Sequence, residues 1–103
     1  MNIDKNTDLN LILDQIKNLI KPINLILFHK KTGNNGRVVG FKVCIIVDTK
    51  SKLDLEKYIY KNIDSNIPFD VILYTSDEWN KLKLKENSFV NQILQKGRIY
   101  GQE

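Results

Sequence analysis

The stretch of sequence that decides the fold is residues 69–79, which read FDVILYTSDEW. Its first half is a short apolar run typical of a buried β-strand, with Asp70 as the lone acid in it. Its second half predicts a helix start, because Thr75 can cap the first turn and Glu78, three residues later, can complete a capping box. Residues 69–79 therefore predict a strand that passes directly into a helix.

The flanking segments extend this pattern in both directions. The predicted elements are, in chain order, a helix over 7–21, strands over 23–28 and 38–48, a helix over 52–64, the strand over 69–74, and two helices beginning at Thr75 and at Asn87 or Ser88. Residues 1–6 are polar and expected to fray, and residues 98–100 can add a last short strand. This order predicts an α/β (α+β) fold: a small mixed sheet with helices packed mainly on one face. Strand 38–48 is expected between an antiparallel strand 23–28 and a parallel strand 69–74.

Length and composition limit the architecture and the kinds of site. The 103 residues suit a single domain, and 42% hydrophobic with 27% charged residues is ordinary globular composition. The longest apolar run, Val43 to Val47, is too short for a membrane span. Cys44 is the only cysteine, so no internal disulfide is possible and a reducing cytoplasm is the expected compartment. Its side chain is expected to be buried. His29 is the only histidine, which excludes a histidine-rich metal site.

The net charge of +4 is weak evidence for nucleic-acid binding. Only Arg37 and Arg98 among the 16 basic residues are arginines, although the planar guanidinium is the side chain best suited to bidentate phosphate contacts. The abundant Lys, Asn and Ile share A/T-rich codons. The excess of lysine is therefore consistent with codon bias, and the net charge carries little weight as an indication of a nucleic-acid site.

The last third of the chain carries a recognisable set of motifs. They are Asp70-Val71-Ile72-Leu73-Tyr74-Thr75, Glu78-Trp79, Ser88-Phe89-Val90, Ile93-Leu94, Gly97 and Tyr100. In these residues the chain resembles the minimal nucleotidyltransferases, small members of the DNA polymerase beta-like superfamily, and the upstream order of elements also fits. The resemblance implies a nucleotidyltransferase-like fold over residues 1–103.

The resemblance also implies a nucleotide site, which is altered in this chain. The Gly-Ser pair that holds the triphosphate in the family falls on His29 and Lys30, and the paired acids of the second strand fall on Gly40 and Lys42. Asp70 matches the third acid. Two-metal nucleotidyl transfer needs several carboxylates around Mg²⁺ ions, so one acid beside a lysine predicts no metal site. His29, Lys30, Lys42 and Asp70 are therefore expected to line a relic nucleotide cleft, with Asp70 as a relic acid and no assigned catalytic residue.

This alignment leads to a specific geometric expectation. Lys42 and Asp70 should lie on adjacent strands and project from the same face of the sheet, with the ammonium in place of the lost metal and within about 4 Å of the carboxylate. In the alternative interpretation, Lys42 points outward from the polar side of its strand and Asp70 faces solvent.

Three hypotheses for the function follow. The preferred one is a degenerate nucleotidyltransferase-like protein without metal-dependent transfer, acting as a binding or antitoxin-type partner of a helical HEPN-domain protein, as the resemblance implies. The first alternative is an active enzyme that moves a nucleotide from ATP to a protein, an RNA or a small molecule; only this alternative requires ATP and Mg²⁺ as cofactors. The second alternative is a non-catalytic nucleotide- or RNA-binding module that uses Lys30, Lys31, Arg37 and Lys42. A homodimer is compatible with all three.

Overall fold

The computed structural model describes residues 7–99, and its elements follow the predicted order. The helices are α1 (Thr7–Ile20), α2 (Lys52–Asn62), α3 (Ser76–Leu82) and α4 (Phe89–Lys96), and the strands are β1 (Asn24–Thr32), β2 (Val38–Ile46), β3 (Phe69–Tyr74) and β4 (Arg98–Ile99). Strand β1 runs four residues beyond its predicted end at Phe28. The predictions for residues 1–6 and for Tyr100 lie outside the described residues. Within the described part of the chain, no helix is long and apolar enough to cross a membrane.

The strands form one mixed sheet in the order β3-β2-β1-β4. Strand β2 pairs antiparallel with β1 and parallel with β3, which confirms the predicted neighbours. The β1–β2 connection closes through a hydrogen bond from the Gly33 backbone N–H to the carbonyl of Arg37 (2.8 Å), and Gly36 adopts a φ of 78°. That left-handed angle explains a glycine at this position.

Helices cover both faces of the sheet, whereas the sequence led us to expect them mainly on one. Helices α1 and α2 bury Leu13, Ile16 and Ile59 on one face, here called the α1 face. Helices α3 and α4 bury Trp79, Val90 and Ile93 on the opposite face, here called the α4 face. The reason lies in β2, where residues 43–46 are all buried. Successive side chains of a strand point to opposite faces, so such a strand needs cover on both.

Three hydrophobic side chains of α2 and α4 are half-exposed although they fall within the apolar stripes of those helices. They are Tyr58, Phe89 and Leu94, and each neighbours a fully buried residue in sequence: Ile59, Val90 and Ile93 respectively. Neighbouring helical residues are about 100° apart around the axis, so in each of these pairs one side chain points at the sheet and the other lies at the margin of the stripe. Cys44 is buried as predicted, and burial raises the pKa of its thiol to about 12.

Helix starts agree with the sequence patterns. Ser51 accepts a hydrogen bond from the Asp54 N–H at the start of α2, and Thr75 forms the predicted capping box with Glu78. Of the two candidates for the α4 cap, Ser88 takes the role. Each start therefore depends on contacts within a few residues of the chain.

Gly97 directly follows α4, but it does not adopt the left-handed conformation that is common for glycine at helix ends. Its φ of −83° is accessible to any residue. A Cβ atom at this position would lie 2.6 Å from both the Ile26 Cγ2 atom and the Ile93 carbonyl oxygen. The close approach of the α4 end to β1 is what requires glycine here.

Two carboxylates hold the start of α3. The Asp48 carboxylate accepts hydrogen bonds from the Ser76 N–H (2.9 Å) and hydroxyl (2.8 Å). The Glu78 carboxylate accepts one from the Thr75 N–H (2.9 Å) and forms an ion pair with Lys52 (2.8 Å). The bonds from Ser76 hold the pKa of Asp48 below its usual 3.8, and the bond from Lys52, followed by that from Thr75, holds the pKa of Glu78 below its usual 4.5.

We expect these carboxylates to make the fold acid-sensitive. A folded pKa below the unfolded one contributes stability that is complete above the unfolded value and is lost as the pH falls through the folded value. The free energy of unfolding, measured by urea denaturation, should therefore fall between about pH 5 and pH 3, and the fall should be shallower in Asp48→Asn. Asp64→Asn is the matched control, because it also removes one exposed aspartate carboxylate but leaves the start of α3 unchanged. Equal pH slopes for Asp48→Asn and the unmodified protein would contradict this prediction.

Candidate functional site

A cleft lies on the α4 face and continues to the edge where β2 and β3 begin. It consists of two depressions of about 250 and 290 Å³, both lined by His29 and Lys42. The other residues that line the first depression are Phe28, Ile72, Phe89, Gln92, Ile93 and Lys96. The second is lined in addition by Lys31, Asp70 and Gly40 and by the apolar residues Val39, Phe41, Pro68 and Phe69. His29 and Lys42 lie where the two depressions adjoin, and the two together are here called the cleft.

Three neighbouring strands bring His29, Lys42 and Asp70 into one row. His29 of β1 is the register partner of Lys42 on β2, and Lys42 is in turn the partner of Asp70 on β3. Register partners project from the same face, and neighbouring strands lie about 4.8 Å apart. Three of the four predicted cleft residues are therefore adjacent, and all three are exposed to solvent.

A β-bulge changes which lysine of β1 reaches the cleft. The pairing passes from Leu27 opposite Val43 directly to His29 opposite Lys42, so Phe28 is an extra residue on β1. Both Phe28 and His29 consequently line the cleft, and the alternation of all following side chains is inverted.

The prediction of Lys30 as a cleft residue is corrected by this bulge. Lys30 pairs with Phe41, which belongs to the core of the α1 face, so its side chain projects away from the cleft. Lys31 pairs with Gly40 and lines the cleft in its place. Arg37 lies at the end of the β1–β2 turn, where its backbone N–H donates to the Asn35 side chain, and it does not line the cleft.

The expected ion pair between Lys42 and Asp70 does not form, although both side chains lie on the same face. Both residues are in the described part of the chain, and no ammonium–carboxylate contact within 4 Å joins them, in contrast to Lys52 and Glu78. The physical reason is exposure. Water solvates the Asp70 carboxylate without a cation, and an exposed ion pair gains only about 0–1 kcal/mol.

Helix α4 contributes residues that the sequence patterns did not assign to the cleft. Phe89, Gln92 and Lys96 line the first of its two depressions. The Phe89 ring, 46% exposed, stands edge-on to Phe28 with ring centroids 5.7 Å apart and planes at 90°. The signal was the spacing of these α4 residues at i, i+3 and i+7, which defines one stripe along a helix. The sequence alone favours Phe89 as a core or interface aromatic residue, and the structure places its half-exposed ring in the cleft.

The charges of the cleft favour an anion over a metal ion. Lys31, Lys42, Lys96 and His29 line it, and Asp70 is the one carboxylate among its lining residues in the described chain. Mg²⁺ takes about six oxygen ligands in near-octahedral geometry. One carboxylate beside three lysines does not fit that requirement, whereas ammonium groups beside exposed rings can bind a phosphate attached to an aromatic group.

Comparisons with known proteins identify no match to this chain. No family model, no curated protein and no solved structure matches the chain. The candidate site is therefore defined by the residues of the cleft alone: a central pair of basic side chains, an apolar wall with an exposed ring, and one acid.

Proposed function

We propose that this chain is a nucleotidyltransferase-like domain that has become a binding module: its cleft holds a phosphate-bearing, nucleotide-like ligand without metal-dependent transfer. The observation that carries this proposal is the convergence of His29, Lys31, Lys42 and Lys96 on one cleft with an exposed phenylalanine ring. These residues come from β1, β2 and α4. The ammonium groups would neutralise phosphate, and the ring would pack against the base.

The strand arrangement supports the descent from a nucleotidyltransferase. Strand β3 pairs in parallel with β2, as the resemblance requires, and the two strands bring Gly40, Lys42 and Asp70 to the same depression. These are the three positions at which the family would carry its acids. Lys42 would add a positive charge where that family holds a cation, which is unfavourable for Mg²⁺ and favourable for phosphate.

The active-enzyme alternative is tested by transfer chemistry. Incubation with labelled ATP and Mg²⁺ or Mn²⁺ is expected to give no transfer of label to protein or RNA. Reproducible transfer that is abolished in Asp70→Ala would replace the present proposal with the enzyme.

Reversal of the central charge should weaken the binding of a nucleotide to the cleft. We expect a fluorescent ATP analogue to bind in the presence of EDTA, and Lys42→Glu to weaken that binding at least about tenfold, because one ammonium–phosphate contact at a partly screened site is worth about 1–4 kcal/mol. Fluorescence anisotropy at low salt gives both dissociation constants.

Lys57→Glu is the matched control, since Lys57 is an exposed lysine of α2 and lies outside the cleft. It makes the same change in net charge and should leave binding within about twofold. Equal losses of affinity in the two variants would mean that the effect of Lys42→Glu comes from the change in net charge and not from the cleft. Binding that requires Mg²⁺ would contradict the metal-independent mode.

A helical HEPN-type partner remains a second candidate for the function. Leu84 is 81% exposed between α3 and α4, and Leu94 on α4 is 43% exposed, so this segment offers apolar side chains for contact. Co-elution with a small helical protein encoded by a neighbouring gene, lost in Leu84→Asp, would support it. Size-exclusion chromatography of the chain alone would detect the homodimer.

A further inference from the structure

Three kinds of group are separated along the cleft. The half-exposed Phe89 ring lies in the first depression together with Lys96, and Asp70 lies in the second together with Lys31. His29 and Lys42 line both depressions and therefore lie between Phe89 and Asp70. A ligand that spans the cleft would contact the Phe89 ring at one end, Lys42 and His29 at the centre, and the Asp70 carboxylate at the other end.

We infer that the cleft binds single-stranded RNA, with a base on Phe89, the following phosphate against Lys42 and His29, and the next ribose 2′-hydroxyl donating to Asp70. This inference rests on the proposed function and names the ligand of the same cleft. It makes Asp70 a specificity-determining residue for ribose over deoxyribose.

The depression that contains Phe89 suits a stacked base. Phe89 is 46% exposed and its ring packs perpendicular to that of Phe28, so about half of the side chain is accessible to a base while contact with Phe28 limits its movement. Any base can stack on an open ring, which makes this contact tolerant of sequence. Lys96 and Gln92 lie beside it and can contact the sugar-phosphate backbone.

The acid at the other end favours a ligand that carries a hydroxyl group beyond its central phosphate, as RNA does. The Asp70 carboxylate would repel a terminal phosphate placed against it, so we expect a nucleoside triphosphate to bind the cleft more weakly than RNA. A ribose 2′-hydroxyl can instead donate a hydrogen bond to the carboxylate, and deoxyribose cannot. Asp70 lies one strand away from Lys42 and on the same face, where the sugar after the central phosphate would lie.

The test compares labelled ten-nucleotide oligouridine with ten-nucleotide oligodeoxyuridine, in EDTA and at low salt, by fluorescence anisotropy. We expect the protein to bind the RNA about tenfold more tightly than the DNA, the preference that one hydrogen bond to a charged group supplies. Asp70→Ala should bind both oligonucleotides with nearly equal affinity. Asp70→Asn, which loses the charge but keeps an acceptor oxygen, should retain a preference for RNA.

Phe89→Leu separates stacking from sugar recognition. It should weaken the binding of both oligonucleotides by about tenfold and leave the ratio of their affinities unchanged, while the protein remains folded with a modestly lower melting temperature because the contact with Phe28 is lost. Equal affinity of the unmodified protein for RNA and DNA, or an unchanged ratio in Asp70→Ala, would overturn the RNA inference. Binding of the ATP analogue alone would overturn it too but preserve the proposed function. Failure of all three probes to bind would overturn both.

Discussion

The Gly40→Asp/Lys42→Asp double variant is expected to bind Mn²⁺ in about the millimolar range or tighter, while the unmodified protein shows no saturable binding by calorimetry. The change removes one ammonium and adds two carboxylates on the strand next to Asp70. An aspartate fits at position 40, because a Cβ there would have the Pro68 carbonyl oxygen as its nearest neighbour at 3.6 Å. Three carboxylates would then face one depression.

The control is Gly40→Asn/Lys42→Asn, which has nearly the same shape without the two added negative charges. It should bind Mn²⁺ far more weakly than the aspartate pair. Adding Asp70→Ala to the aspartate pair should also weaken binding, since it removes the third carboxylate. If the aspartate pair does not bind Mn²⁺ while it remains folded, the backbone of the cleft does not have the geometry of a metal site.

Trp79→Ala is expected to cost about 3–5 kcal/mol of unfolding free energy, a large part of the stability of a domain this small. Trp79 is 7% exposed, packs on Tyr74 with ring centroids 5.9 Å apart, and belongs to the core that holds α3 and α4 on the sheet. The cavity would loosen the packing beneath α4. Urea denaturation followed by far-ultraviolet circular dichroism gives the free energy without relying on tryptophan fluorescence.

Two substitutions calibrate this result. Trp79→Phe should lose clearly less, because it keeps a ring in the same core. Leu84→Ala should change stability by no more than about 0.5 kcal/mol, since that side chain is largely exposed. A loss below about 1 kcal/mol for Trp79→Ala would mean that the α4 face contributes little to the fold.

The predictions from sequence succeeded mainly where the interacting residues are close together in the chain. Ser51, Thr75 and Ser88 cap helices through atoms three residues away, and those spacings are visible in the sequence. The mixed sheet with β2 between β1 and β3 also followed from the order of apolar runs and the length of their connections. For the cleft, His29, Lys42 and Asp70 were predicted as neighbours and are register partners across three strands.

The remaining details depended on pairing between distant parts of the chain. The bulge at Phe28 arises from how β1 meets β2 more than ten residues away in sequence, and that single extra residue exchanges Lys30 for Lys31 in the cleft. The exposure of Phe89 depended on where α4 packs, which local periodicity does not specify. Helical spacing identifies an apolar stripe, and strand alternation identifies two faces. Which of those surfaces is buried, and which side chain stands at the edge of a cleft, is determined by the element packed against it.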